Sequence, residues 1–283
     1  MNAIEVKDAT KQYDGFLLDH VSFTLPQGAI LGLVGENGAG KSTTIKLIMN
    51  AIGRDGGTIR VLGEDNTSPV FQSVKDDIGV VLDEAYFPEV LTAKQVGVVM
   101  KNTYKRWDNE TYKRYLQLLD LPMNLIFRDF SRGMKMKFAI AVALSHQPKL
   151  LVLDEATSGL DPMVRDEILT LFNDFTRDEE HSILLSSHIV SDLEKVCDYI
   201  AFLHKGKLVL CEEKDRLLEE YAIVKTTQSA LDQLPQGAMI SSKAGPYGTE
   251  ALVRKEQLPR GMQTEFTTLE NIILFLAKRG ERA

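Results

Sequence analysis

Gly35-Glu36-Asn37-Gly38-Ala39-Gly40-Lys41-Ser42 is the stretch whose reading decides the fold of this chain. It carries the glycines, lysine and serine of a phosphate-binding loop at each fixed position. Upstream, Ala29-Ile30-Leu31-Gly32-Leu33-Val34 reads as a buried strand; downstream, Ile45, Ile48 and Met49 share a helical face. Strand, glycine loop and helix form the context the motif requires. The glycines let backbone N–H groups converge on a phosphate without Cβ obstruction, and the helix start adds partial positive charge. In such a loop Lys41 reaches the β- and γ-phosphates and the Ser42 hydroxyl ligates Mg²⁺.

The 283 residues allow one large domain or a domain with an appendage. Charged residues are 26% and hydrophobic ones 44%, the balance of a soluble globular protein. Net charge is −7 and no long Lys/Arg block stands out, so no nucleic-acid partner is expected. The start lacks the pattern of a signal peptide and no apolar run is long enough to span a bilayer, so a cytoplasmic chain is expected. Cys197 and Cys211 sit in no metal-binding or redox motif and read as reduced, partly buried thiols.

In chain order, residues 3–7 and 21–25 alternate as strands, and Tyr13 lies between them, a flat ring able to stack on a base. Residues 58–63 and 78–82 read as further strands, the latter ending at Asp83 and Glu84. Helical spacing takes over at 93–104 and 109–119, with Trp107 and the tyrosines as packing residues. Ser131 is placed to cap a helix whose inner face is Met134, Phe138, Ala141, Val142 and Ser145. Leu150-Leu151-Val152-Leu153-Asp154-Glu155 is a uniformly apolar run ending in two carboxylates, the pattern of a parallel strand buried on both faces. Beside a phosphate loop, Asp154 would hold Mg²⁺ through water and Glu155 would polarise the attacking water. Pro162 suits the first turn of a helix over 163–177; a buried strand over 182–187 then places His188 at its end, where an imidazole reaches a γ-phosphate. Lys205-Gly206 reads as a hairpin turn between strands at 198–203 and 207–210. Beyond Tyr221 come turn clusters at 235–237 and 245–248, short strand candidates and a last amphipathic helix over 268–278, with no catalytic constellation.

In this order, the motifs resemble the nucleotide-binding subunit of an ATP-binding cassette (ABC) transporter, over roughly residues 1–218. The resemblance implies an α/β P-loop NTPase fold: a mostly parallel core sheet, an antiparallel β subdomain and a helical subdomain at about 88–146. Residues 1–220 would form that domain, and 221–283 a small α/β extension, regulatory or dimer-stabilising. It implies ATP and Mg²⁺ as ligands. Tyr13 corresponds to the adenine-stacking aromatic; Gly35, Glu36, Asn37, Gly38, Ala39, Gly40, Lys41, Ser42 and Thr43 to the ATP-binding Walker A segment; Asp83 to the Q-loop position. Ser131, Arg132, Gly133 and Met134 occupy the signature, which acts on a partner's ATP; Ser158 and Asp161 belong to the D-loop. Ser42 and Asp154 correspond to the metal site, Glu155 to the catalytic glutamate and His188 to the switch histidine.

Two positions depart from the family pattern. The usual Leu-Ser-Gly-Gly-Gln signature reads Phe130-Ser131-Arg132-Gly133-Met134, and Asp83 replaces a glutamine. A Phe-Ser-Arg-Gly-Met signature, the Trp107-Asp108 helix start and the phrase Thr268-Leu269-Glu270-Asn271-Ile272 are similar to ABC-2-type bacterial exporters of peptides, bacitracin and other amphipathic compounds. The resemblance implies a head-to-tail dimer, homo- or heteromeric, on the inner face of a membrane beneath a polytopic partner. Phe87 to Thr92 is the expected docking groove. The alternatives are a soluble ABC ATPase acting on ribosomes or DNA, which usually carries two cassettes or a long coiled coil, and a module that holds ATP without hydrolysing it, against which Glu155 and His188 stand.

Overall fold

The computed structural model describes residues 1–83, 86–245 and 248–279. Glu84, and Pro246 and Tyr247 of the second turn cluster, lie outside the described residues. The chain begins with β1 (Asn2–Tyr13) and β2 (Phe16–Pro26), then β3 (Ile30–Val34), α1 (Lys41–Ile48), β4 (Gly56–Val61), β5 (Glu64–Asp65), α2 (Phe71–Val74) and β6 (Ile78–Val81). Three helices follow: α3 (Ala93–Thr103), α4 (Asn109–Leu118) and α5 (Arg132–Leu144). Next come β7 (Leu150–Asp154), α6 (Pro162–Phe175), β8 (Ser182–Ser187), α7 (Val190–Val196), β9 (Tyr199–His204), β10 (Lys207–Glu213) and α8 (Lys214–Glu220). The tail contains β11 (Tyr221–Thr226), α9 (Gln228–Leu231), β12 (Met239–Gly245), β13 (Gly248–Arg254) and α10 (Leu269–Arg279).

The central sheet has the order β10-β9-β3-β8-β7-β6, parallel except for the β9–β10 hairpin at Lys205-Gly206. Its inner strands are buried on both faces, as the uniformly apolar runs require. Alternate residues feed two cores: Ile30, Leu151, Leu153, Ile183 and Leu185 face the helices α5 to α7, while Leu31, Leu33, Leu150, Val152 and Leu184 face α1 and the antiparallel sheet β2-β1-β4-β5. Each such side chain contributes roughly 1.5–3 kcal/mol of burial.

β1 runs well past the alternating residues 3–7. A bulge between Val6 and Ala9, with Asp8 at φ 51°, shifts the phase of the pleat and breaks the apolar alternation while the strand continues. The helical subdomain is anchored by an aromatic cluster: Phe138 takes Phe87 at 4.9 Å and Phe130 at 5.6 Å, both edge-on. Trp107 is a packing residue as expected, its ring 4.9 Å from Tyr112 and its Nε1 donating to Asn109 at 2.9 Å. Cys197 is buried and Cys211 partly buried, both free. Burial pushes the Cys197 thiol up, away from the reactive thiolate. Among the described residues no helix is long and apolar enough to cross a membrane.

The tail folds into an antiparallel sheet, β11-β13-β12, with a small core of Ala222, Val224, Leu231, Ala251 and Val253. Its last helix goes elsewhere. Leu269, Ile272, Phe275 and Leu276 of α10 join Leu193, Val196 and Leu217 in the main core, and the Glu194 carboxylate accepts the Leu269 N–H at 3.0 Å.

Candidate nucleotide site

Parallel register brings the predicted site residues to one edge. Val34 pairs with Ser187 and Asp154 with Ser186, so the strands β3, β7 and β8 release the glycine loop, Glu155 and His188 side by side. Gly35 is required here by close approach: a Cβ would stand 2.4 Å from the Leu203 carbonyl oxygen of β9.

Lys41 is only 5% exposed and reaches back into its own loop. Its Nζ donates to the Gly35 oxygen at 2.7 Å and the Glu36 oxygen at 3.3 Å, and pairs with Glu155 Oε1 at 3.1 Å. The other carboxylate oxygen of Glu155 accepts the His188 Nδ1–H at 2.7 Å. Glu155 therefore stands between the loop lysine and the strand-end histidine. Its backbone is left-handed, φ 53°, an unfavourable conformation for a residue with a Cβ. That turn is held by Ser186, whose carbonyl oxygen and hydroxyl accept the Glu155 N–H at 3.1 and 3.2 Å. The same hydroxyl donates to Asp154 Oδ1. Ser186 is fully buried and fixes both acidic residues. Its visible signal is a polar residue repeated in an otherwise apolar strand.

The cleft in front of these groups has a volume of about 420 Å³ and is lined by the glycine loop, Thr43, Glu155, Asp83 and Phe16. Ser42 is exposed on this wall. Tyr13 is 44% exposed and is not on the wall; Phe16, its partner across the hairpin, is. Ser42 on the cleft wall and Asp154, which is 3% exposed and not among the residues lining the cleft, carry the hard oxygen donors that suit Mg²⁺. Among the described residues no group of three His, Cys, Asp or Glu side chains forms a separate metal cage. Phosphate oxygens and water would complete such a donor set, as is usual for this ion.

The signature segment lies elsewhere. Ser131 caps α5, its Oγ accepting the Met134 N–H at 3.2 Å. Ser131, Gly133 and Met134 line a depression of about 280 Å³ with Gly159, Leu160 and Asp161, sharing no residue with the phosphate cleft. Asp161 caps α6 behind Pro162, accepting the Met163 and Val164 N–H groups at 3.1 Å. Arg132 lies over Gly159, which has φ +69°; a Cβ there would meet the guanidinium carbon at 2.6 Å. The extra bulk of the altered signature is thus taken up on the D-loop.

A phosphate-binding loop, a carboxylate pair at the end of a buried parallel strand and a histidine one strand away define an ATP-hydrolysing P-loop protein. The ABC transporter family model matches residues 18–158. The chain is 34% identical to the ABC transporter ATP-binding protein YtrB of Bacillus subtilis (strain 168), over 90% of this chain and 88% of that protein. It is 33% identical to the bacitracin transport ATP-binding protein BcrA of Bacillus licheniformis, over 73% and 68%. A solved ATP-binding subunit of an ABC transporter superposes with a TM-score of 0.69 at 28% identity, over 76% of this chain and 91% of that one. The chain belongs to the ATP-binding subunits of ABC transporters. It is an ATPase that works with a transmembrane component.

Proposed function

We propose that this chain drives an exporter of peptides, antibiotics or other amphipathic compounds from the inner face of the membrane, as a head-to-tail dimer beneath a polytopic partner. The observation that carries the hydrolytic half of this reading is the chain Lys41–Glu155–His188 at the mouth of the cleft. An incoming γ-phosphate competes with Glu155 for Lys41, and the displaced carboxylate becomes available to polarise the attacking water. His188, freed in the same exchange, turns its N–H to the γ-phosphate. Ser42 and Asp154 would hold Mg²⁺, which would supply charge neutralisation to the phosphates. Ser131 and the Gly133 backbone complete the site of the partner subunit, consistent with their position away from their own glycine loop. Asp83 contributes from the cleft wall and Tyr13 closes on the base from the hairpin. The export assignment draws on similarity to a bacitracin transport protein and on the signature sequence.

Docking of the membrane partner is assigned to the surface around residues 86–92. Phe87 itself is committed to the aromatic cluster, whereas Val90 is 73% exposed. Tagged protein carrying Glu155→Gln, purified from its host in mild detergent with ATP, is expected to bring down a polytopic membrane protein, and Val90→Glu to release it. Ribosomes or DNA-associated proteins in its place would refute the export reading.

A further inference from the structure

The α6 and α7 helices follow the D-loop and the switch histidine respectively; an exposed pair, Lys195 with Asp166 at 3.1 Å, joins them at the surface, and Arg165 spans them further in. Arg165, on the first turns of α6, donates from its Nη2 to the Leu160 carbonyl oxygen of the D-loop at 3.2 Å. Its Nε faces Oδ2 of Asp192 on α7 at 3.7 Å. Asp192 is 3% exposed. Among the described residues neither Arg165 Nε nor Asp192 Oδ2 has a hydrogen-bond partner. Asp192 is buried while the Arg165 side chain is 27% exposed, and at this separation the pair forgoes the charge-assisted hydrogen bond that forms near about 2.8 Å. A displacement of under an ångström would close the pair.

We infer that Arg165 is a positioning residue that ties the D-loop to the switch segment, so that pressure on the D-loop from a partner subunit draws α7 inward and sets His188 for hydrolysis. His188 lies between β8 and α7 in the chain, and the Ile189 N–H is already held by the Ser187 hydroxyl at 3.0 Å, so movement of α7 is passed to the histidine. On the other side of the D-loop Arg132 packs on Gly159, so the segment is gripped from both flanks. The direction of coupling runs from the surface that serves the partner's nucleotide to the residue that serves the chain's own. This inference rests on the dimeric ATPase reading above.

The test uses the full-length protein with Arg165→Gln, Asp192→Asn and the double variant, reading ATPase rate against ATP concentration, fluorescent-nucleotide affinity and thermal midpoint. Each single change is expected to lower kcat by about tenfold with KM and nucleotide affinity unchanged, and to weaken cooperativity in ATP. The double variant is expected to lose no more than either single one, as for residues acting as a unit. Wild-type kcat in the single variants, additive losses, or a kcat loss that follows a fall in nucleotide affinity and thermal midpoint would each overturn the coupling alone. A wild-type protein with no ATPase activity sensitive to Glu155→Gln would overturn the underlying function as well.

Discussion

The nucleotide cleft and the C-terminal extension are built on opposite plans. In the cleft, polar groups stand at and beyond the ends of strands buried on both faces, and each is restrained by another: Lys41 by loop carbonyls, Glu155 by Lys41 and His188, Asp154 by Ser186. In the extension, a small sheet over a core that includes Ala222, Val224, Leu231, Ala251 and Val253 keeps its charges on the exposed surface, Lys225 with Glu250 and Glu265, and its final helix is lent to the main core. The difference separates what each region contributes: the cleft holds a left-handed backbone and paired charges at its mouth, and the extension adds apolar surface to the helix that follows His188.

The largest effect should come from the cleft. Glu155→Gln retains the shape of the side chain and removes its charge, so it is expected to lower kcat by roughly 10²- to 10⁴-fold while ATP still binds. Steady-state hydrolysis with a parallel nucleotide titration checks this. Hydrolysis near the wild-type rate would show that the strained turn and its ion pair serve folding only. Phe138→Ala probes the core that supports the cleft from the helical side. The ring is 1% exposed and touches Phe87, Phe127 and Phe130, so the loss in unfolding free energy should be about 3–5 kcal/mol, measured in urea.

Ile272→Ala sharpens the contrast at the extension. Ile272 is fully buried in the main cluster, and its truncation is expected to cost about 2–4 kcal/mol in a single transition shared with the core. Two separate transitions would show the extension to be an independent unit after all. The same packing argues against deleting the tail as a probe of regulation, because removing α10 uncovers Leu193, Val196 and Leu217. Replacing Glu194, whose carboxylate takes the Leu269 N–H, disturbs that contact without stripping the core.

What was legible in the sequence was what is encoded by neighbours along the chain. The glycine loop, the apolar strand ending at Asp154, the Ser131 cap, the Pro162 helix start and the Lys205-Gly206 hairpin each declare themselves within a few residues. What was not legible depends on residues far apart. Ser186 matters because β8 lies beside β7; Phe16 walls the cleft because the first hairpin folds over the glycine loop; Arg165 meets Asp192 only when two helices pack. The α7 helix, with 7 residues, is too short for periodicity to reveal, although it carries contacts to both the D-loop side and the extension. The resting place of Arg132 on Gly159 is likewise a tertiary fact.

The smallest predicted effect lies outside both regions, where the helical insert meets the edge strand β6 of the core. His146 is 1% exposed, stacked on Tyr104 at 4.1 Å, with Nε2 against the Ile78 carbonyl oxygen at 3.2 Å. Burial holds its imidazole below the ordinary value, an effect to which nearby Arg106 adds and which Asp76 opposes. The unfolded chain therefore takes up a proton at this residue before the folded one does. By linkage, stability rises with pH through this window: the contribution is intact above about pH 6.5 and is lost as pH falls from there toward the folded-state value. His146→Phe keeps a ring against Tyr104 but cannot bind the proton, so its thermal midpoint should decline less steeply between neutral and mildly acidic pH than that of the wild type. Parallel slopes would place the acid sensitivity in other groups and leave this interface as plain packing.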